Sequence, residues 1–281
     1  NDTGVAGYFE LGECSVTRED GPDGIQYTYD ETNLITPTTD SDKQNYANWY
    51  TYHRSRDYLF KRALSGVFMG LQTRAAVATI NANAGLGWGM EMKDVDDISN
   101  PSNADDPDTA QELNKAELLS TLFQVSDEGG IRHTPLRRAL ENAGRYFLGD
   151  YDNYTVQEGF VTASGQPSDP LLAEDAGGSC QQNHTILATD GYRNESRHEH
   201  YIVGNYSNAD LNTDNAYDGG LYADSLSNTL ADIAMHFYKM DMRDYSNDVR
   251  ANTAIGDTNP DENPGQHMTT HTLSFGIVGN I

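Results

Sequence analysis

Residues 180–194 read CQQNHTILATDGYRN, and the reading of the fold turns on TILAT, Thr185 to Thr189, inside this block. A short apolar run bounded by polar residues has the length of a strand buried in a sheet. It ends at Asp190-Gly191, so an acidic turn follows the strand. A second run of the same kind, Ala75 to Ile80 (AAVATI), fits a strand buried on both faces. Before it, Leu59, Phe60, Ala63, Leu64, Val67, Phe68 and Leu71 fall at helical spacing, which predicts a helix of about twenty residues from Tyr52. A shorter helical stretch follows at Lys115 to Phe123. Thr134 can cap the next helix, Pro135 suits its first position, and Leu136, Ala139, Leu140, Ala143 and Phe147 form the stripe to be buried. Tyr222, Leu226, Leu230, Ile233, Phe237 and Met240 mark a further helix, and His271 to Val278 a last strand. Helix and strand alternate, the order of an α/β fold whose mostly parallel sheet carries helices on both faces, here with long loop insertions.

Residues 1–47 are polar and rich in Gly and Asp, with β-like runs only at Gly7 to Leu11 and Gln26 to Tyr29. They read as a loop or insertion segment packed on one domain, residues 48–281. Residues 94–110 are acidic and hold two prolines, the mark of a solvated loop, and residues 192–220 are loop-like as well. The 281 residues suffice for one large domain with a sizeable core.

The formal charge is −25, with 18 basic against 43 acidic side chains. Such a surface repels nucleic acid and anionic lipid. It is also the charge lever that keeps proteins of salty habitats soluble. No apolar window approaches the ~18 residues of a membrane span, and no basic, apolar leader precedes Asn1. The chain reads as soluble, and as processed or cut from something longer. Cys14 and Cys180 are the two cysteines, neither in a CxxC. One disulfide formed in an oxidising compartment is the favoured reading, and two buried thiols the other.

Open α/β sheets hold ligands in the loops beyond the carboxyl ends of their strands. Asp190 occupies such a position, and with Thr134 it can offer hard oxygen ligands to Mg²⁺ or Ca²⁺. The structural alternatives are an Asx turn at Asp190-Gly191 and a plain helix cap at Thr134. Asp210-x-Asn212-x-Asp214 begins like a calcium loop, but Asn215 replaces its turn glycine and Leu221 stands where the bidentate Glu belongs. His198 and His200 lack the further ligands of a zinc site, so a solvated loop is the simpler account. There is no GxSxG elbow, P-loop or GxGxxG, and Ser179-Cys180 lacks an arranged base within its block.

NYANWYTYHRSRDYLFKRALSGVF (45–68), TPLRRALENAGRYF (134–147), CQQNHTILATDGYRN (180–194), YADSLSNTLADIAMHFYKMDMR (222–243) and HMTTHTLSFGIVG (267–279) together resemble the N-terminal von Willebrand factor A-like domain of PilY-type type IV pilus tip adhesins. The resemblance implies a Rossmann-like domain that acts in adhesion, pilus assembly or surface sensing and is not an enzyme. It implies minor pilins or other tip components and a host or abiotic surface as partners. The location it implies is extracellular, at the cell surface or pilus tip, reached through the periplasm. It also implies a metal-ion-dependent adhesion site built from an Asp-x-Ser-x-Ser loop, a Thr and an Asp. Thr134 and Asp190 match the second and third elements. The first has no counterpart: Asp224-Ser225-Leu226-Ser227 has the wrong spacing and falls in the stretch read as helix. The first strand either lies upstream or has been lost with its loop, which leaves at most weak Mg²⁺ or Ca²⁺ binding. A von Willebrand-type surface module unconnected with pili, and a secreted hydrolase built on scattered His and Asp residues, are the alternative readings.

Overall fold

Paired strands and paired helices precede a strand–helix–strand unit in the computed structural model, which describes residues 16–17, 33–34, 38–53, 56–80, 89–95, 110–125, 134–150, 168–189, 202, 204–211, 223–251 and 261–274. The chain divides into two compact units, Asn1–Gly66 and Val67–Ile281.

In the first unit, β1 (Val16–Thr17) and β2 (Asn33–Leu34) pair antiparallel. The runs at 7–11 and 26–29 lie outside the described residues. Helix α1 (Asp40–His53) starts where Thr39 and Asp42 cap each other: the Asp42 amide donates to Thr39 Oγ1 at 3.1 Å and the Thr39 amide to the Asp42 carboxylate at 3.3 Å. The expected loop-like segment of residues 1–47 therefore gives way to helix at Asp40, because a reciprocal cap precedes the first apolar residues. Helix α2 (Arg56–Met69) is shorter than the twenty residues expected from Tyr52. Its stripe is half-open, with Leu59 and Val67 exposed.

The second unit begins with the last turn of α2. Strand β3 (Arg74–Ala78) pairs antiparallel with β4 (Gly89–Asp94), and α3 (Ala110–Gln124) lies against them. Met90, Val95 and Leu118 are buried there, with Phe68, Leu71, Ala75 and Val77 packed around them. Two expectations change here. AAVATI is a half-buried hairpin strand, since the connection to β4 is too short for the crossover of a dozen or more residues that a parallel pair needs. Helix α3 also starts five residues ahead of Lys115, inside the stretch read as acidic loop.

The larger core joins α4 (Leu136–Leu148), β5 (Asn183–Thr189), α5 (Leu230–Lys239) and β6 (Met268–Ser274). Leu136, Leu140, Ala143 and Phe147 of α4 meet Leu187, Ile233, Phe237 and Met268. Strands β5 and β6 run parallel in unbroken register from Asn183↔Met268 to Thr189↔Ser274, and α5 lies between them in the chain. This β–α–β crossover is the parallel element among the described residues, whose other two strand pairs are antiparallel. The expectation of a mostly parallel sheet is met only there. β5 contains the expected strand TILAT, and β6 begins three residues ahead of His271, the expected start of the last strand. Helix α5 starts eight residues after Tyr222: Asn228 adopts φ 59°, which interrupts a helix, and Thr229 then caps α5. Leu226 is 62% exposed ahead of it, and Asp224 to Ser227 are not helical.

Candidate functional site

The carboxyl ends of β5 and β6 lie side by side, Thr189 opposite Ser274, where an open α/β sheet presents its ligand loops. Asp190 is the next residue in the chain and lies outside the described residues, as do Asn212, Asp214, His198 and His200. Thr134 is half-buried just before α4. Its carbonyl accepts from the Leu136 amide at 2.9 Å, and the N-cap is Pro135 with no side-chain capping bond. The cap expected from the Thr134 hydroxyl is thus replaced by a backbone turn, since Pro135 sits one position before the helix and not at its first position.

Asp210 is described and buried, in a segment tied to the start of α5. Asp232 is the centre of that tie. One oxygen accepts from the amides of Ala209 at 2.6 Å and Asp210 at 3.4 Å, and the other from the Thr229 amide at 2.7 Å and hydroxyl at 2.9 Å. Carboxylates are favoured at a helix N-terminus by its dipole and unpaired amides. Lys239, at the far end of α5, donates to the Ala209 carbonyl at 2.7 Å. Asp210 itself accepts from the Asp224 amide at 3.5 Å, and its Oδ2 is buried without a hydrogen bond. Burial, then the neighbouring Asp232 and Asp224 charges, push its carboxyl above the ordinary aspartate range.

Glu141, fully buried on α4, lies off the apolar stripe, on the flank where helical spacing places solvent-facing residues. It accepts from the Gly204 amide at 2.6 Å, the Tyr206 hydroxyl at 2.7 Å and Arg145 at 3.3 Å. The segment around residue 204 is thereby fixed to α4. Tyr206 in turn packs edge-on against His236, whose imidazole is held below its usual range by burial and by the Arg145 charge.

A third polar knot closes the loop before β6. His267 Nδ1 donates to the Gly265 carbonyl at 2.8 Å, and its Nε2 lies in hydrogen-bond contact with Asp261 Oδ2 at 2.9 Å. Tyr238 donates to Asp261 Oδ1 at 2.9 Å. Burial raises the Asp261 carboxyl, but the His267 and Tyr238 hydrogen bonds outweigh it and hold the group below its ordinary range. These bonds fasten α5 to the start of β6. Sequence spacing offers little sign of them, since Asp261 and Tyr238 are 23 positions apart.

Among the described residues no three His, Cys, Asp or Glu side chains converge as a metal set. Cys180 is an exposed free thiol in a 3-10 turn, its sulfur 3.4 Å from the Gly177 carbonyl, and Cys14 lies outside the described residues. No helix among the described residues is long and apolar enough to cross a membrane.

No protein-family model matches the chain, and no solved structure matches it. Among curated proteins it is similar to the type IV pilus biogenesis factor PilY1 of Pseudomonas aeruginosa. Identity is 28% over 260 residues with the protein of strain PAO1, covering 85% of this chain. It is 28% over 259 residues with that of strain PAK and 27% over 267 residues with that of strain UCBPP-PA14. The matches cover 20% of each relative, so the chain spans about a fifth of the length of the curated relatives it matches. Most of the chain is thus a PilY1-like region.

Proposed function

We propose that this chain is a non-catalytic, von Willebrand factor A-like module of a cell-surface protein that acts in type IV pilus assembly or in adhesion at the pilus tip. The observation that carries the reading is the similarity to a type IV pilus biogenesis factor along 85% of the chain. The β5–α5–β6 crossover supports the fold half of it, since parallel strands joined through a helix are the building unit of Rossmann-like sheets. Asp190 follows β5 directly and Thr134 precedes α4. In such a module these two would hold Mg²⁺ or Ca²⁺ weakly. Minor pilins or other tip components, and a host or abiotic surface, are the partners, reached by export through the periplasm. In that oxidising setting the exposed Cys180 thiol can pair with Cys14.

The test is an in-frame deletion of these residues in the organism that encodes them. Sheared surface filaments and attachment to glass are then scored against the parent, with co-purification of minor pilins by the tagged chain. Fewer filaments, poorer attachment and pilin capture are expected. Unchanged filaments and attachment would end the pilus reading.

A further inference from the structure

Because β5 and β6 are parallel and in register, residues 184, 186 and 188 share one face of the pair with 269, 271 and 273. The opposite face carries Leu187 and Met268 into the core against α4 and α5. The outer face is open: Ile186 is 67% and Leu273 42% exposed, and His184 and His271 are exposed on the same face. The two imidazoles face one another across the strands, His184 Nδ1 lying 3.2 Å from His271 Nε2. Their ring centroids are 5.4 Å apart.

We propose that His184 and His271 form a binding site for a divalent transition-metal ion of the Zn²⁺ or Cu²⁺ kind, held between Nδ1 of the first and Nε2 of the second. Two nitrogens bound at 2.0–2.1 Å with a tetrahedral angle between them stand about 3.3 Å apart. The observed separation is within reach of that value without movement of the strands. In the metal-free chain one ring donates to the other. To bind, each ring places its proton on the remote nitrogen, Nε2 of His184 and Nδ1 of His271, and both inward lone pairs then point at the ion. His267 is no third ligand, because Gly265 and Asp261 occupy both its nitrogens. With no third side chain converging among the described residues, the remaining positions of the ion go to water or to a group from outside. Imidazole donors select this class of ion over Mg²⁺ and Ca²⁺, which take oxygen. The inference stands apart from the pilus reading.

Calorimetric titration of the purified, chelator-stripped chain with Zn²⁺, and separately with Cu²⁺, tests it. One ion per chain is expected, with Cu²⁺ tighter than Zn²⁺ as the general order of divalent affinities requires. His184→Ala and His271→Ala should each weaken binding by more than about tenfold, since even residues that merely support a ligand are worth that much. His184→Gln should do the same, and all three variants should keep the parent's thermal midpoint in chelator because the rings are exposed. A His198→Ala/His200→Ala double variant should bind as the parent does, and excess Mg²⁺ or Ca²⁺ should not displace Zn²⁺. Parent-like affinity in His184→Ala, or loss of binding only in the His198/His200 variant, would overturn the proposal.

Discussion

Gly144 of α4 lies flat against the ring of Phe237 of α5, so close that a β-carbon at residue 144 would overlap Cγ, Cδ2 and Cε2 of that ring. The two helices meet at this point, and Phe237 is almost wholly buried there. Gly144→Ala should therefore destabilise the chain by about 1–3 kcal/mol, the range for overpacked cores. At roughly 2–4 °C per kcal/mol for a chain of this size, the loss is visible in a thermal melt. Adding Phe237→Leu should relieve part of the clash, so that the double variant loses less than the two single losses combined. A parent-like midpoint for Gly144→Ala would mean that the helices do not approach this closely.

Glu141 offers a second, graded test of the same region. Glu141→Ala leaves the Gly204 amide, the Tyr206 hydroxyl and Arg145 without their shared acceptor, a loss of about 3 kcal/mol or more for a broken buried charge pair. Tyr206→Phe removes one donor to a charged group and should lose about 1.5–3 kcal/mol. Urea unfolding of both variants ranks them. A Tyr206→Phe loss equal to that of Glu141→Ala would show that the carboxylate does not anchor the Gly204 segment.

Asp210 sets a pH-dependent expectation. Its folded-state carboxyl is raised above the unfolded value by burial and by Asp232 and Asp224. The sign follows from linkage: stability is fully present below the unfolded value, is lost as pH rises through the folded one, and stays lower at neutral pH. Asp210→Asn removes the charge and keeps the shape, so at pH 7 it should raise the thermal midpoint by a few degrees, about 1 kcal/mol. In acid, below the ordinary aspartate range, the gap should close. A variant less stable than the parent at pH 7 contradicts this. Added Ca²⁺ that stabilises the parent but not Asp210→Asn would instead return Asp210 to a calcium loop with Asn212 and Asp214.

What the sequence made legible was the part governed by apolar spacing. The α4 stripe Leu136, Leu140, Ala143 and Phe147 is buried as read, and TILAT lies within the parallel strand β5. The start of α5 misled because Tyr222 and Leu226 continue the helical period, whereas the left-handed Asn228 and the Thr229–Asp232 cap decide the backbone. Strand β4 went unread although Met90 and Met92 alternate with Glu91 and Lys93, the period of a half-buried strand, because its six residues sit next to an acidic loop. The polar contacts around Glu141, Asp232 and Asp261 were invisible for a different reason. The bonds Tyr206–Glu141, Ala209–Asp232 and Tyr238–Asp261 join residues 23 or more positions apart, whose meeting depends on how α4 and α5 pack and not on any local pattern.

The last expectation concerns Thr134 and Asp190. Between them they supply two oxygen ligands, one of them charged, whereas Ca²⁺ takes six to eight oxygens and Mg²⁺ demands near-ideal octahedral geometry. Water can fill the vacant positions but brings no charge, and no Asp-x-Ser-x-Ser loop stands in the chain to add a second carboxylate. Binding of either ion there should be in the millimolar range or weaker, the regime of the loosest extracellular calcium modules. Mass action then adds little stability: at a free ion concentration equal to the dissociation constant the gain is about 0.4 kcal/mol, too small to shift a melt by more than a degree or two. Asp190→Ala should leave the fold standing, because a residue beyond a strand end serves a turn or a ligand and not the core. Calorimetric titration with Ca²⁺ and Mg²⁺, run on the parent and on Asp190→Ala, is the measurement. A micromolar site abolished by Asp190→Ala would mean that further residues complete the coordination sphere, and the adhesion site would then be whole.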